Sequence, residues 1–164
     1  MEHLWAPWRN AYVTGTSPEK NEKLFFNIGQ SNEDAAHLVF LRSKSVFAVL
    51  NRYPYNAGHT LVAPYREVGD IRLLSNDEAS DLWSTVNRVI SLLESAFHPH
   101  GFNIGINQGR AAGAGLPSHL HVHIVPRWEH DSNFMTAQAE TRIHPAELST
   151  IYNKLSDLVA ASRA

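Results

Sequence analysis

His119-Leu120-His121-Val122-His123-Ile124-Val125 is the stretch on which the fold turns. Polar and apolar side chains alternate at every second position, the period of a β-strand with one buried face. The pattern predicts a strand over 119–125, with Leu120, Val122 and Ile124 towards the core and His119, His121 and His123 on the opposite face. Along such a strand the three Cα atoms stand about 6.5–7 Å apart, so neighbouring imidazoles reach one small ligand. A lone strand histidine is most often a hydrogen-bonded residue without chemistry. Three in a row repel one another if all are protonated, which keeps some neutral near pH 7. A neutral cluster suits either a metal site or a nucleophile.

The residues just upstream tilt that choice towards phosphate. Asn107-Gln108-Gly109-Arg110-Ala111-Ala112-Gly113-Ala114-Gly115-Leu116-Pro117-Ser118 is a glycine- and alanine-rich loop. Small residues let the backbone approach a ligand closely and turn N–H groups towards an anion.

Further out, Leu38–Leu41 and Val46–Leu50 are apolar runs separated by Arg42-Ser43-Lys44-Ser45, a hairpin pattern. A third strand is expected at 60–63, closed by Pro64, and another at 102–106. Ser75 followed by Glu78 reads as a capping box that opens a helix to about Ala96, with Leu82, Val86, Val89, Ile90 and Leu93 as its apolar stripe. A last helix is expected from Pro145, burying Leu148, Ile151, Tyr152, Leu155 and Val159. Pro126 is expected to end the central strand. Antiparallel strands with helices between them make the class α+β. Residues 1–36 show no period. Trp5, Pro7, Trp8 and Tyr12 form an aromatic arm that packs on the domain or on a partner, and Leu24-Phe25-Phe26 reads as a short strand or the buried edge of that arm. The whole chain, 1–164, is expected to be a single domain.

Composition narrows the function classes. With 43% hydrophobic and 18% charged residues the chain is globular, and a net charge of -2 advertises no surface for a nucleic acid polymer. The absence of cysteine rules out disulfides, thiol catalysis and thiolate metal sites. No apolar run is long enough to span a membrane and no signal-like start is present, so a cytoplasmic setting is expected.

The His-φ-His-φ-His-φ-φ pattern resembles the histidine triad (HIT) superfamily of nucleotide hydrolases and transferases. Asn51, Gly58-His59-Thr60-Leu61-Val62, Asn103 to Gln108 and Pro126-Arg127 resemble its flanking segments. More narrowly, Leu4-Trp5-Ala6-Pro7-Trp8-Arg9, Asn51-Arg52-Tyr53-Pro54-Tyr55-Asn56, Ala112-Gly113-Ala114-Gly115, Arg127-Trp128 and Asn133-Phe134-Met135 are similar to the branch of microbial diadenosine tetraphosphate phosphorylases and their relatives. The resemblance implies a HIT-like fold: an antiparallel sheet with a long central helix and a C-terminal helix.

It also implies a function: a dinucleoside polyphosphate phosphorylase or hydrolase that acts through a nucleotidyl-histidine. His121, the central ring, is the expected nucleophile, with His119 and His123 in supporting or acid roles and His59 holding the neighbourhood in register. Asn51 is expected at the ribose. Gln108 is expected on the phosphate side, Asn107 either contacts the nucleotide or, like Asn103, ties the loop down, and Gly113 and Gly115 are expected to offer backbone N–H groups to developing charge. Arg9, Arg110 and Arg127 are candidate phosphate partners. Adenosine phosphoramidate hydrolysis, a noncatalytic nucleotide sensor and, weakest, a zinc-binding module are the alternatives. The expected partners are adenine nucleotides or dinucleoside polyphosphates and a second copy in a homodimer. No protein-bound cofactor is expected, and Mg2+ would arrive with the substrate. Relatives often carry a Cys-x-x-Cys pair for structural zinc where this chain has Leu24 and Asn27, and neither side chain replaces a thiolate.

Overall fold

In the computed structural model residues 23–131 and 147–162 are described. The aromatic arm, Arg9, Asn133-Phe134-Met135 and Pro145 lie outside them. The first hairpin forms where the sequence places it, as β1 (Val39–Arg42) and β2 (Val46–Leu50). With β3 (Thr60–Pro64), β4 (Gly101–Ile106) and β5 (Val122–Arg127) it builds a five-stranded sheet in the order β1-β2-β3-β5-β4. Each neighbouring pair is antiparallel. The α+β class is therefore as the sequence implies.

Side-chain alternation sends the two faces of this sheet to different ends. Val46, Ala48, Leu50, Val62, Val122 and Ile124 face one way and form a core with two helices, α3 (Asn76–Phe97) and α4 (Leu148–Ala161). The predicted capping box opens α3. Ser75 accepts the Glu78 N–H (3.2 Å), and the Glu78 carboxylate accepts the Ser75 N–H (2.8 Å). Leu82, Val86, Val89 and Leu93 form its buried stripe, and Ile151, Leu155 and Val159 that of α4. Trp83 lies off the stripe and is exposed. No helix among the described residues is long and apolar enough to cross a membrane.

The opposite face carries Phe47, Val49, Leu61 and Ala63, and among the described residues no long helix covers it. Phe25 and Ile28 of α1 (Leu24–Gln30) close part of it. Here the sequence expectation is corrected, because Leu24-Phe25-Phe26 is neither a strand nor wholly buried. Three consecutive apolar residues carry no period. Only the i, i+3 pair Phe25 and Ile28 shows that one helical face packs while Leu24 and Phe26 stay exposed. A second short helix, α2 (Asp34–His37), leads into β1.

The central strand is corrected as well. Pairing with β3 spans only Val122–Ile124 opposite Thr60–Val62, so β5 begins at Val122 and not at His119. It also runs through Pro126, which stands opposite Phe102 of β4. A proline without an N–H is tolerated there because the β3 ladder has already ended on that side. The Pro126 carbonyl is taken by the Asn56 side-chain amide (3.1 Å).

Candidate active site

Since β5 starts late, His119, Leu120 and His121 need a support other than the sheet. The chain leaving β3 provides it. The Val68 carbonyl accepts the Leu120 N–H (2.6 Å), and the Pro64 carbonyl accepts the His119 Nε2–H (2.8 Å). Gly69 packs directly against the Pro117 and Ser118 backbone. Between them these contacts tie the segment of the first two histidines to the chain leaving β3.

Each hydrogen bond also decides a tautomer. A carbonyl can only accept, so the His119 carbonyl, 2.9 Å from His121 Nδ1, places the His121 proton on that nitrogen. The lone pair of neutral His121 is thereby on Nε2. His119 carries its proton on Nε2, on Pro64, while its Nδ1 is buried without a hydrogen-bond partner among the described residues. A second chain of bonds starts at Tyr55, whose backbone N–H donates to His59 Nδ1 (3.0 Å). His59 must then donate from Nε2 to His123 Nδ1 (3.0 Å), which leaves the proton of neutral His123 on Nε2. The ring of Tyr55 stacks on that of His59 at 4.7 Å.

Burial keeps the nucleophile candidate neutral. His119 is 0% and His121 8% exposed, and desolvation pushes both below the ordinary value of 6.5. For His119 the Pro64 carbonyl opposes that shift, and for His121 the His119 carbonyl does. Phe25 of α1 supplies part of the apolar surroundings, with ring centres 5.5 Å from His119 and 4.9 Å from His121.

The sign of these shifts predicts a pH dependence of stability. With folded pKa values below 6.5, the unfolded chain binds protons first as pH falls. Stabilisation present above pH 6.5 is lost progressively below it. Thermal melts from pH 8 to pH 5 are expected to hold Tm steady near neutrality and then lower it, with a shallower acid decline in His119→Asn. Equal slopes in the two proteins would remove the buried imidazoles as the cause.

His121 and His123 open onto a cavity of about 480 Å³. Its walls divide by chemistry. Leu24, Phe25, Ile28, Val49, Leu61 and Leu116 make an apolar end, while Asn51, Arg52, His37 and Asn107 make a polar border. An apolar slot with a few polar groups beside it suits a flat heteroaromatic base attached to a polar sugar phosphate.

The residues singled out in the sequence are distributed unevenly around this cavity. His121, His123, Asn51, Asn107 and Gly113 line it. His59 and His119 stand behind it and act on the lining histidines. Asn51 accepts the Tyr53 N–H (2.9 Å) on its side-chain oxygen, and its Nδ2 lies 3.4 Å from His59 Nδ1, so it ties the 51–55 turn to the histidines. The Gly113 N–H is already bonded to the Arg110 carbonyl (3.0 Å). Gly115 does not line the cavity. Neither does Gln108, whose side-chain oxygen accepts the Ile71 N–H (3.0 Å) as a strut between the loop and the segment after β3. Arg110 is exposed on the loop. Arg127 binds Asp131 (2.6 and 2.7 Å) and Asn103 (2.8 Å), away from the cavity.

Sequence reasoning passed over His37, Arg52 and the apolar wall. Phe25 and Ile28, three apart, were the available signal. His37 carried none, since only the turn of the chain into β1 brings it to the cavity. At the positions matching the cysteine pair of relatives, Leu24 is a wall residue and Asn27 an exposed amide, so the pair does not fit a zinc ion. Among the described residues no group of three or more His, Cys, Asp or Glu is arranged to hold a metal.

Comparison with known proteins agrees with this architecture. Over 153 residues the chain is 39% identical to the AP-4-A phosphorylase of Mycobacterium tuberculosis, covering 88% of this chain and 77% of that one. It is 36% identical to the asymmetrical bis(5'-nucleosyl)-tetraphosphatase of Schizosaccharomyces pombe, over 70% of this chain and 63% of that one. A histidine triad nucleotide-binding protein from Sulfolobus tokodaii superposes with a TM-score of 0.68 at 25% identity, covering 85% of this chain and 93% of the other. The HIT domain family model matches residues 32–130, the span from before β1 to just past β5 that holds the sheet, α3 and all four site histidines. Sequence, sheet topology and the histidine arrangement thus converge, and the chain belongs to the HIT domain family.

Proposed function

We propose that the protein cleaves dinucleoside polyphosphates, with diadenosine tetraphosphate as the leading substrate, through a nucleotidyl-His121 intermediate. The observation that carries this reading is the forced tautomer of His121, a residue that lines the cavity: Nδ1–H on the His119 carbonyl, which leaves the lone pair on Nε2. The 39% identity to an AP-4-A phosphorylase supports the substrate class.

In this reading the base occupies the apolar slot, Asn51 faces the ribose and the α-phosphate meets His121. The Nε2 lone pair forms a bond to the α-phosphorus while the bond from that phosphorus to the bridging oxygen breaks, and its electron pair leaves on the oxygen of ATP. Proton donation to that oxygen falls to His123, because its Nδ1 is occupied by His59 and its Nε2 carries the proton. His119 positions the nucleophile through its carbonyl. In the second step an acceptor oxygen attacks the same phosphorus and the pair of the P–N bond returns to His121. Phosphate yields ADP and water yields AMP. The relationship to a phosphorylase favours phosphate. The protein holds no metal in this mechanism, and Mg2+ comes with the polyphosphate.

The reading extends to a homodimer. Among the described residues β4 is the last strand of the sheet and nothing pairs with its outer edge, its Ile104 is 45% exposed, and an edge of this kind is ordinarily covered. It also places the reaction in the cytoplasm, with its nucleotide substrates.

Incubation of the protein with diadenosine tetraphosphate and 32P-labelled inorganic phosphate is expected to give labelled ADP and unlabelled ATP. Accumulating AMP without labelled ADP would replace phosphorolysis by hydrolysis. Cleavage of adenosine phosphoramidate alone would replace the substrate class.

A further inference from the structure

We propose that Arg42 is a positioning residue for nucleotide binding: it clamps the two short helices that wall the cavity, and so sets how firmly the base end closes. This rests on the reading of the cavity as a nucleotide site. Arg42 ends β1 and does not line the cavity. Its guanidinium reaches across to both helices. Nη1 donates to the Gly29 carbonyl (3.0 Å) at the end of α1 and Nη2 to the Ser31 carbonyl (2.6 Å) just beyond it. Nε and Nη2 also donate to one Asp34 carboxylate oxygen at 2.9 and 2.7 Å, at the start of α2.

The clamp answers a need of α1. That helix has seven residues, no side-chain cap at its N-terminus and no basic residue in its last turn. A helix so short is unstable without tertiary support. Its final carbonyls and the negative end of its dipole call for a cation, and Arg42 brings one from the sheet. The guanidinium is itself fixed, with its carbon 6.0 Å from the Phe47 ring centre and 5.8 Å from that of Tyr65.

What the clamp holds is the cavity wall. Leu24, Phe25 and Ile28 come from α1, and His37 ends α2. The histidine site hangs on other supports, namely Pro64, Val68 and the Tyr55–His59 chain. Phe25 touches both sets, but Ile28 and the sheet residues around it also hold its ring. Loosening the clamp therefore widens the slot and weakens binding far more than it disturbs the chemistry.

The test compares Arg42→Met, which keeps the apolar stem and loses the fork, with Arg42→Lys, which keeps the charge but cannot bridge three acceptors. Kinetics on diadenosine tetraphosphate are read beside AMP titration by calorimetry and thermal melts. Arg42→Met is expected to raise KM and the AMP Kd about tenfold while kcat stays within about threefold, with Arg42→Lys intermediate. A general loss of folded protein would lower apparent kcat and leave KM unchanged, and that outcome overturns the proposal. So does unchanged AMP affinity in a variant that melts like the wild type. If Arg42→Met does not fold, Asp34→Ala, which removes the acceptor on α2 and leaves the Gly29 and Ser31 contacts, is read by the same KM and Kd criteria. AMP affinity decides the clamp even if the wild type fails to turn over any dinucleotide, a result that would count against the proposed function alone.

Discussion

His121→Ala is expected to lower kcat for diadenosine tetraphosphate by at least about 10,000-fold, the scale seen when a nucleophile is removed from a preorganised site. The reason is local. The His119 carbonyl fixes the proton of His121 on Nδ1, so Nε2 is the nitrogen offered to the cavity. Alanine offers no lone pair, and neither flanking histidine is oriented to replace it: Nε2 of His119 is bound to Pro64, and Nε2 of His123 carries a proton. Binding should survive, because the apolar slot and Asn51 are untouched, so AMP affinity is expected to stay within about fivefold. Wild-type protein quenched in alkaline denaturant, where a P–N bond to imidazole survives, and analysed by mass spectrometry without acid is expected to carry an adenylyl group on His121, and the variant none. Turnover close to wild type in the alanine variant would remove the covalent route.

Gly69→Ala is expected to have the second largest effect, although Gly69 lies outside the cavity. A Cβ there would fall well inside contact distance of the Pro117 carbonyl oxygen and 3.3 Å from the Ser118 Cα. These are backbone atoms, so no rotamer change relieves the clash, and the 117–121 segment must move. His119 and His121 depend on that segment, because neither belongs to β5. Displacement on the order of 1 Å is expected to cost roughly 100-fold in kcat, with a loss of about 1–3 kcal/mol of stability from overpacking. KM should change less than kcat, since Leu24, Phe25, Ile28, Val49 and Leu61 of the apolar wall come from other segments and only Leu116 adjoins the displaced one. Gly101→Ala is the control: a Cβ at Gly101 meets nothing within 4 Å among the described residues, and wild-type kinetics are expected. Unaltered kcat in Gly69→Ala would show that the segment after β3 does not hold the nucleophile.

The two substitutions mark different distances from the sequence. His121 stands out in the chain because alternation groups it with two more imidazoles, and that spacing needs no structure to be seen. Gly69 has no local signal. Its importance arises from a contact with Pro117, 48 positions away, which no periodicity records. The same separation explains Gln108. Its place in the loop suggested a phosphate contact, whereas the fold sets it against Ile71 as a strut. Gly113 is a related case, because reaching the cavity and having a free N–H are separate properties and its N–H closes a turn.

The chain's own order of residues determined the α+β class, the capped helix α3 with its apolar stripe, the hairpin, and the clustering of three histidines after a small-residue loop. All of these depend on period and local chemistry, which act over a few positions. Only the tertiary structure decided where β5 begins, which face of the sheet packs on the two long helices, which nitrogen of each imidazole carries the proton, and that a helix around Phe25 walls the cavity. Those outcomes depend on partners such as the Pro64 carbonyl, the Tyr55 amide and Arg42, brought together by long-range packing, and a hydrogen bond has no direction until both of its ends are in place.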